Sequence, residues 1–458
     1  MQDQSGAPEP GLPEVDLVMK GGAASGLVYA GALPVLAGRR RFRGIAGASA
    51  GSVAAAFAAA AEFARHRGDL GGYDRLRHQC QDLARRLPDL LVADPPFRPL
   101  MRALTALAPG SGRPHWARAM LAFWPSLAGG ALAGLAVVAL AEVALGAATP
   151  FAWRLAAPGM ILAALLGAGS GIAGYFVWAV AWVAPRRGFG ICDGRALGEW
   201  IHAGLQEIAF GPGADAAPLT FGHLRRAGLY LRMPTTNLTQ SRPHMLPEFD
   251  LPLAFEPAAW ARLMPAAVMT ALPAAGSDGR APIPAADDLP VAAAVRMSAA
   301  GPGLIQAVPV LLVQTTGVTR LHLSDGGLTA NLPLGVFDRL APRRPVLALD
   351  LASLDGPAEL WRAGPLRTAL DPEAPAPPEI VGVRAFIWSV LTAMREGPVR
   401  AAARADPEGI YQVRLDRQEG GLNLRMTEAT ARRLSGYGEA LAQRILDDAD
   451  AAGEAAAG

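Results

Sequence analysis

Ser49 stands at the centre of Gly47-Ala48-Ser49-Ala50-Gly51 in a chain of 458 residues. Gly-x-Ser-x-Gly between a strand and a helix is a nucleophile elbow, a turn so tight that only small residues flank the serine. Such a turn lifts the hydroxyl above the end of a sheet, at a helix N-terminus that favours developing negative charge. The chemistry this predicts is acyl transfer through a serine ester. Five residues in a chain with 52 glycines are a weak signal alone, and a plain strand-to-helix turn needs the same small residues. The flanks add to it. Phe42–Ala46 is a short apolar strand and Ala50–Arg65 an alanine-rich helix.

Two further groups belong to the same chemistry. Lys20-Gly21-Gly22-Ala23-Ala24-Ser25-Gly26 follows a first apolar run, Val15–Met19. A glycine turn there can aim backbone N–H groups at one point and form an oxyanion hole. It matches neither nucleotide-binding pattern, because Ala23 occupies the second required glycine of Gly-x-Gly-x-x-Gly. Asp325-Gly326-Gly327 follows the strand Arg320–Leu323, so the turn holds Asp325 at a strand end. By itself that is a common Asp-Gly turn. The seven histidines (66, 78, 115, 202, 223, 244 and 322) lie in no motif that presents a general base. His322 is three residues from Asp325, and odd separations along a strand face opposite sides.

Strand, glycine turn, helix, strand, sharp turn and helix over Val15–Arg65 predict a parallel sheet with crossover helices. Further elements are expected at Leu197–Phe210 and Val291–Ala300 (helices), at Leu229–Pro234, Pro345–Leu351 and Tyr411–Leu415 (strands), and at Thr427–Leu446 (a final amphipathic helix). Ala374–Pro378 reads as a proline-rich loop.

Leu127–Ala147 has 21 residues with Glu142 as its one charge, and Met160–Val183 has 24 with none. Each reaches roughly 30 Å as a helix, the thickness of a hydrocarbon core. Trp124, Trp153, Trp178 and Trp182 sit toward the ends, and Gly and Ala allow close helix pairing. The alternative, a pair of buried core helices, normally keeps a polar stripe that is absent here. The expectation is a membrane-spanning hairpin inserted at 119–185. Arg113 and Arg118 precede it and Arg186 and Arg187 follow it, with Arg154 alone in the connection, so both flanks are expected in the cytoplasm.

Around this insertion a catalytic domain is expected at 14–118 and 186–447, with a disordered lead at 1–13 and a flexible tail at 448–458. A net charge of +2 without Lys/Arg blocks argues against nucleic acid as a partner, and protein partners stay unassigned. Cys80 and Cys192 read as small buried apolar residues. With no metal-ligand cluster in the sequence, neither a metal nor another cofactor is expected.

The motifs KGGAASGLVYAGAL (20–33), GIAGASAGS (44–52), AVRMSAAGP (294–302) and LSDGGLTANLP (323–333), in this order, resemble the patatin-like phospholipases. Gly222–Thr239, with LYLRMPTTNLT, resembles the strand between elbow and dyad aspartate. The resemblance covers Val15 to Leu351. It implies an α/β fold: a three-layer α/β/α sandwich around a mostly parallel sheet, with the apolar hairpin as an insertion. It implies a Ser-Asp dyad without histidine, Ser49 as nucleophile and Asp325 as base, with elbow glycines Gly47 and Gly51 and base-turn glycines Gly326 and Gly327. The oxyanion donors would come from Gly21, Gly22, Ala23 and Ala50. Ala23 replaces a family glycine, where a positive φ would be strained, and Ser25 replaces a residue that is often Arg or Lys. The implied activity is hydrolysis of phospholipid or lysophospholipid esters at a membrane. Two rivals stand beside it, a thioesterase or neutral-lipid esterase with the same dyad and a weakly active or inactive lipid-binding scaffold.

Overall fold

The computed structural model describes residues 11–22, 26–107, 115–144, 152–338, 344–353, 363–365, 409–416 and 426–457, together with 380, 382, 389–390, 393, 396–397, 399–400 and 419. The expected loop at Ala374–Pro378 and most of the N-terminal lead lie outside the described residues. The chain divides into two compact units, Met1–Val92 with Gly194–Gly458, and Ala93–Asp193.

The first unit is mixed α/β around an 11-stranded sheet. Its elements in chain order begin with β1 (Glu14–Met19), α1 (Leu27–Ala37), β2 (Arg41–Gly47), α2 (Ala50–His66) and α3 (Gly72–Leu90). The hairpin-bearing unit intervenes, with α4 (Arg98–Leu107), α5 (Trp116–Leu121), α6 (Trp124–Ala144) and α7 (Ala152–Val177). The first unit resumes with α8 (Arg195–Phe210), β3 (Tyr230–Asn237), β4 (Arg242–Leu246), β5 (Leu253–Phe255), β6 (Ala281–Pro282) and α9 (Val291–Ser298). It ends with β7 (Val308–Gln314), β8 (Gly317–Asp325), β9 (Val346–Ser353), β10 (Ala363–Pro365), β11 (Ile410–Leu415) and α10 (Glu428–Ala457).

The sheet order is β10-β11-β9-β1-β2-β3-β8-β7-β5-β6, with β4 on β3. From β11 through β9, β1 and β2 to β3 every pair is parallel. From β3 outward, and at β10, every pair is antiparallel. The expectation of a mostly parallel sheet therefore holds for only part of it. Chain length explains the change. Only Thr315 and Thr316 separate β7 from β8, and four residues separate β3 from β4. Connections that short make hairpins, whereas a parallel crossover needs a dozen residues or more.

Central strand β1 is buried from Val15 to Met19, as expected of a parallel strand covered on both faces. Val18, Ala46, Leu332, Phe337, Ala348, Val399 and Ile410 form one core cluster on the sheet. Helix α2 carries fully buried alanines from Ala55 to Ala60. α1 packs closely on α10, where a Cβ added at Gly438 would meet the Val28 carbonyl at 1.9 Å. The tail expected to be flexible from 448 is instead the continuation of α10 to Ala457. Its last turns are rich in alanine, the strongest helix former.

In the second unit α4 and α5 pack on the hairpin through Ala103, Ala106, Ala119, Ala122, Phe123, Ile172 and Tyr175. α6 and α7 meet along small residues. A Cβ on Gly130 would lie 2.0 Å from the Gly167 carbonyl, and one on Gly171 would lie 2.0 Å from that of Ser126. Larger side chains point away from this seam, and Leu132, Val137, Leu140, Val143, Ile161, Leu165 and Leu166 are exposed. Glu142 is exposed in the last turn of α6. Both helices are long and apolar enough to cross a membrane.

Candidate active site

Strand register brings the distant residues together. Met19 pairs with Gly47 on one side and with Leu349 on the other, so β1 and β2 finish at one edge while β9 runs on to Ser353. β3 runs parallel to β2, with Ala46 opposite Arg232, and continues beyond it to Asn237. β8 descends antiparallel along this overhang and stops with Asp325 opposite Thr235. The base turn thus ends beside the elbow that follows β2.

At the elbow Ser49 has φ 54° and ψ −125°, a backbone state that non-glycine residues rarely adopt and that costs about 1–3 kcal/mol. The turn closes so tightly that a Cβ on Gly47 would be 2.1 Å from the Gly51 carbonyl, and one on Gly51 would be 2.6 Å from those of Met19 and Lys20. The Ser52 hydroxyl and N–H both donate to the Ser49 carbonyl, at 2.6 and 2.9 Å.

From this position Ser49 Oγ donates to Asp325 Oδ2 at 2.6 Å. The other carboxylate oxygen, Oδ1, accepts the Gly327 N–H at 2.7 Å. One oxygen is thus held by the turn while the other faces the serine. Asp325 is 8 % exposed. Its N–H donates to the Ala300 carbonyl at 2.9 Å, and its carbonyl accepts the Thr236 hydroxyl at 2.8 Å. Gly326 lies against β3, where a Cβ would be 2.1 Å from the Pro234 carbonyl. A carboxylate fixed on this many sides has little freedom to leave the serine.

The hydrogen bond from Ser49 Oγ goes to a carboxylate and not to a histidine. His223 closes a capping box with Thr220, and His244 pairs with Asp250. His322 lies half-buried on β8 with its imidazole pKa lowered, by desolvation first and then by Arg320.

The expected oxyanion donors divide. The Gly21 N–H donates to the Asn331 carbonyl at 3.0 Å, which corrects its assignment as a donor to substrate. A buried N–H takes an available acceptor, and here the base-turn segment supplies one. Gly22 follows it, half-buried. Ala23 lies outside the described residues, as do Ala24 and Ser25. Ala50 is the first residue of α2, so its N–H has no carbonyl one turn behind it.

Four contributing residues were missed from sequence. The buried Ser298 Oγ accepts the Ser49 N–H at 3.4 Å, fixing the elbow to α9. Asn331 holds Gly21. Thr235 and Thr236 bond the carbonyls of Ser324 and Asp325 at 2.8 Å each. Ser298 lies within AVRMSAAGP, Thr235 and Thr236 within LYLRMPTTNLT and Asn331 within LSDGGLTANLP, so each stood inside a motif already singled out.

This geometry accompanies a match of residues 17–122 to the family model described as patatin-like phospholipase. The matched stretch holds the end of β1, the glycine loop, β2, the elbow at Ser49 and α2. A curated protein of Rhizobium meliloti (strain 1021), the RpoH suppressor, is 28% identical over 542 aligned positions, covering 93% of this chain and 82% of that relative. The crystal structure of VipD from Legionella pneumophila aligns at 14% identity and a TM-score of 0.38, covering 96% of this chain and 67% of that one. A likeness that slight carries no argument.

Proposed function

We propose that the protein is a membrane-associated serine acyl hydrolase that cleaves lipid esters, phospholipids or lysophospholipids, within a three-layer α/β/α patatin-like sandwich. The observation that carries this reading is the 2.6 Å hydrogen bond from Ser49 Oγ to Asp325 Oδ2, made by a serine at φ 54°. Asp325 accepts the hydroxyl proton as Ser49 Oγ attacks the ester carbonyl, forming a tetrahedral oxyanion. Backbone N–H groups of Gly22, Ala23 and Ala50 stabilise that oxyanion, each worth typically about 2.7–4 kcal/mol in such sites. The proton passes from Asp325 to the leaving alcohol. Water, deprotonated by the same carboxylate, then releases the acyl group and regenerates Ser49. Gly327 keeps Asp325 oriented through both steps.

The hairpin unit 119–185 is proposed as two membrane spans with the catalytic domain on the cytoplasmic side. Supporting this are the exposed apolar side chains of α6 and α7, their glycine seam and the flanking arginines. A phospholipid or lysophospholipid substrate would then be at hand in the same membrane.

A fluorophosphonate probe on the full chain tests the assignment. Labelling of wild-type protein at Ser49, its loss in Ser49→Ala, and loss of ester hydrolysis in the same variant are expected. Full activity in folded Ser49→Ala would overturn the dyad. Comparison of phospholipid, lysophospholipid, triacylglycerol and acyl-thioester turnover identifies the ester class.

A further inference from the structure

Lys20 is the last residue before the glycine loop, and its side chain is 2% exposed. A buried ammonium needs partners, and here there are two. Nζ lies 2.6 Å from Asp350 Oδ1 on β9 and 2.6 Å from Glu396 Oε2. Asp350 in turn accepts the Gln412 side-chain amide at 2.5 Å through its other oxygen. Burying one cation between two carboxylates is a poor way to gain stability, because well-packed apolar residues of similar volume often do as well or better. The geometry gives this arrangement another purpose.

The backbone of Lys20 is held as firmly as its side chain. Its N–H donates to the Leu349 carbonyl at 3.1 Å, carrying the β1–β9 ladder one residue past the strand. Its carbonyl accepts the Tyr29 hydroxyl at 2.7 Å. Burial first, and then the charge of Asp350, hold the Tyr29 phenol protonated well above its ordinary range, so it stays a donor. The chain leaves this anchor at Gly21, whose N–H is taken by Asn331 of the base-turn segment. On its other side, the Lys20 carbonyl abuts Gly51 of the elbow at the 2.6 Å Cβ spacing. A shift of Lys20 would therefore move the oxyanion loop and press on the nucleophile's turn together.

We infer that the Lys20–Asp350–Glu396 ion triad anchors the start of the oxyanion loop against Ser49, making Lys20 a positioning residue for the acyl-transfer step. This rests on the reading of Ser49 as nucleophile. Displacement of loop donors by a fraction of an ångström weakens the transition state more than substrate binding. The signature is therefore a fall in kcat at nearly constant KM.

The test uses the full chain in detergent micelles with a p-nitrophenyl ester and a fluorophosphonate probe, assayed well below the melting temperature of every variant. Lys20→Met is expected to lose at least about tenfold in kcat with KM changed less than about twofold. Lys20→Arg, which keeps the charge, should restore much of that loss. Glu396→Gln, at the partly exposed corner of the triad, is expected to fold and to lose about threefold in kcat. If Lys20→Met does not fold, Glu396→Gln carries the test alone. Wild-type kcat in folded Lys20→Met or Glu396→Gln would overturn the anchor. A loss that appears only as a lower melting temperature would do the same. A wild-type protein that neither hydrolyses the ester nor labels at Ser49 would instead remove the dyad reading, and the anchor with it.

Discussion

At the residue scale the proposed chemistry turns on two oxygen atoms of Asp325 with separate duties. Oδ1 is tied to the Gly327 N–H and Oδ2 faces Ser49. Asp325→Asn keeps the shape but removes the base, so kcat should fall by about 10²–10⁴ with the fold intact. Steady-state hydrolysis beside a circular dichroism spectrum checks this, and an active Asp325→Asn would exclude a carboxylate base. Ser298→Ala withdraws the hydroxyl that accepts the Ser49 N–H. It should slow fluorophosphonate labelling without abolishing it, since the dyad bond itself remains. Gly51→Ala would drive a methyl group to 2.6 Å from two carbonyls. Overpacking of that kind typically costs about 1–3 kcal/mol, visible as a lowered denaturation midpoint.

Among elements, the pairing of α6 with α7 is set by what is missing from its seam. Gly130 and Gly167 face each other so closely that a Cβ on either would lie 2.0 to 2.2 Å from the opposite carbonyl. Gly130→Leu is therefore expected to force the two helices apart. The full chain in detergent should then unfold at a clearly lower denaturant midpoint than the parent protein. An unchanged midpoint would mean another pairing. α2 shows the same use of small residues inside the first unit, where its alanines let it lie close on the sheet. The ion triad at Lys20 joins the end of β1, the middle of β9 and Glu396 at the edge where β1 and β2 end. That edge is where the elbow and the glycine loop begin.

For the whole molecule, two buried carboxyls give stability a pH dependence. Burial raises the Glu62 pKa above its ordinary 4.5, against the opposing pull of Arg65 and the Tyr73 hydroxyl. Burial likewise raises that of Asp16 above 3.8, against the Gly44 N–H and Arg344. A carboxyl with a raised folded pKa holds its proton more tightly when folded. Its contribution is greatest below the ordinary pKa and is lost as pH rises through the folded value. Glu62→Gln should flatten the decline in stability that begins near pH 4.5. Urea midpoints measured across that range check it, and an unchanged slope would mean that Glu62 does not titrate differently on folding. The proposed spans make a second prediction at this scale. The full chain should stay in the membrane pellet through alkaline carbonate extraction, and release into the supernatant would argue for α6 and α7 as packing helices only.

Much of the site was legible because its constraints are local. A tight turn needs small neighbours around Ser49, an Asp-Gly-Gly run makes a turn, and stretches of 21 and 24 residues with at most one charge make long helices wherever they sit. These follow from sterics and hydrophobicity within a few residues of chain. Contacts between residues distant in sequence were hidden. Ser49 and Asp325 are 276 positions apart, and only the overhang of β3 and the antiparallel descent of β8 bring them within 2.6 Å. The same long-range packing spent the Gly21 N–H on Asn331 and turned Lys20 inward to meet Asp350 and Glu396. The antiparallel half of the sheet was hidden for a related reason. A short apolar run specifies a strand but not the direction of its neighbour, which depends on the length of each connection and on where the chain returns. The sequence by itself determined which residues could react, while the tertiary structure decided which of them meet, because hydrogen bonds and ion pairs form between atoms that only folding makes neighbours.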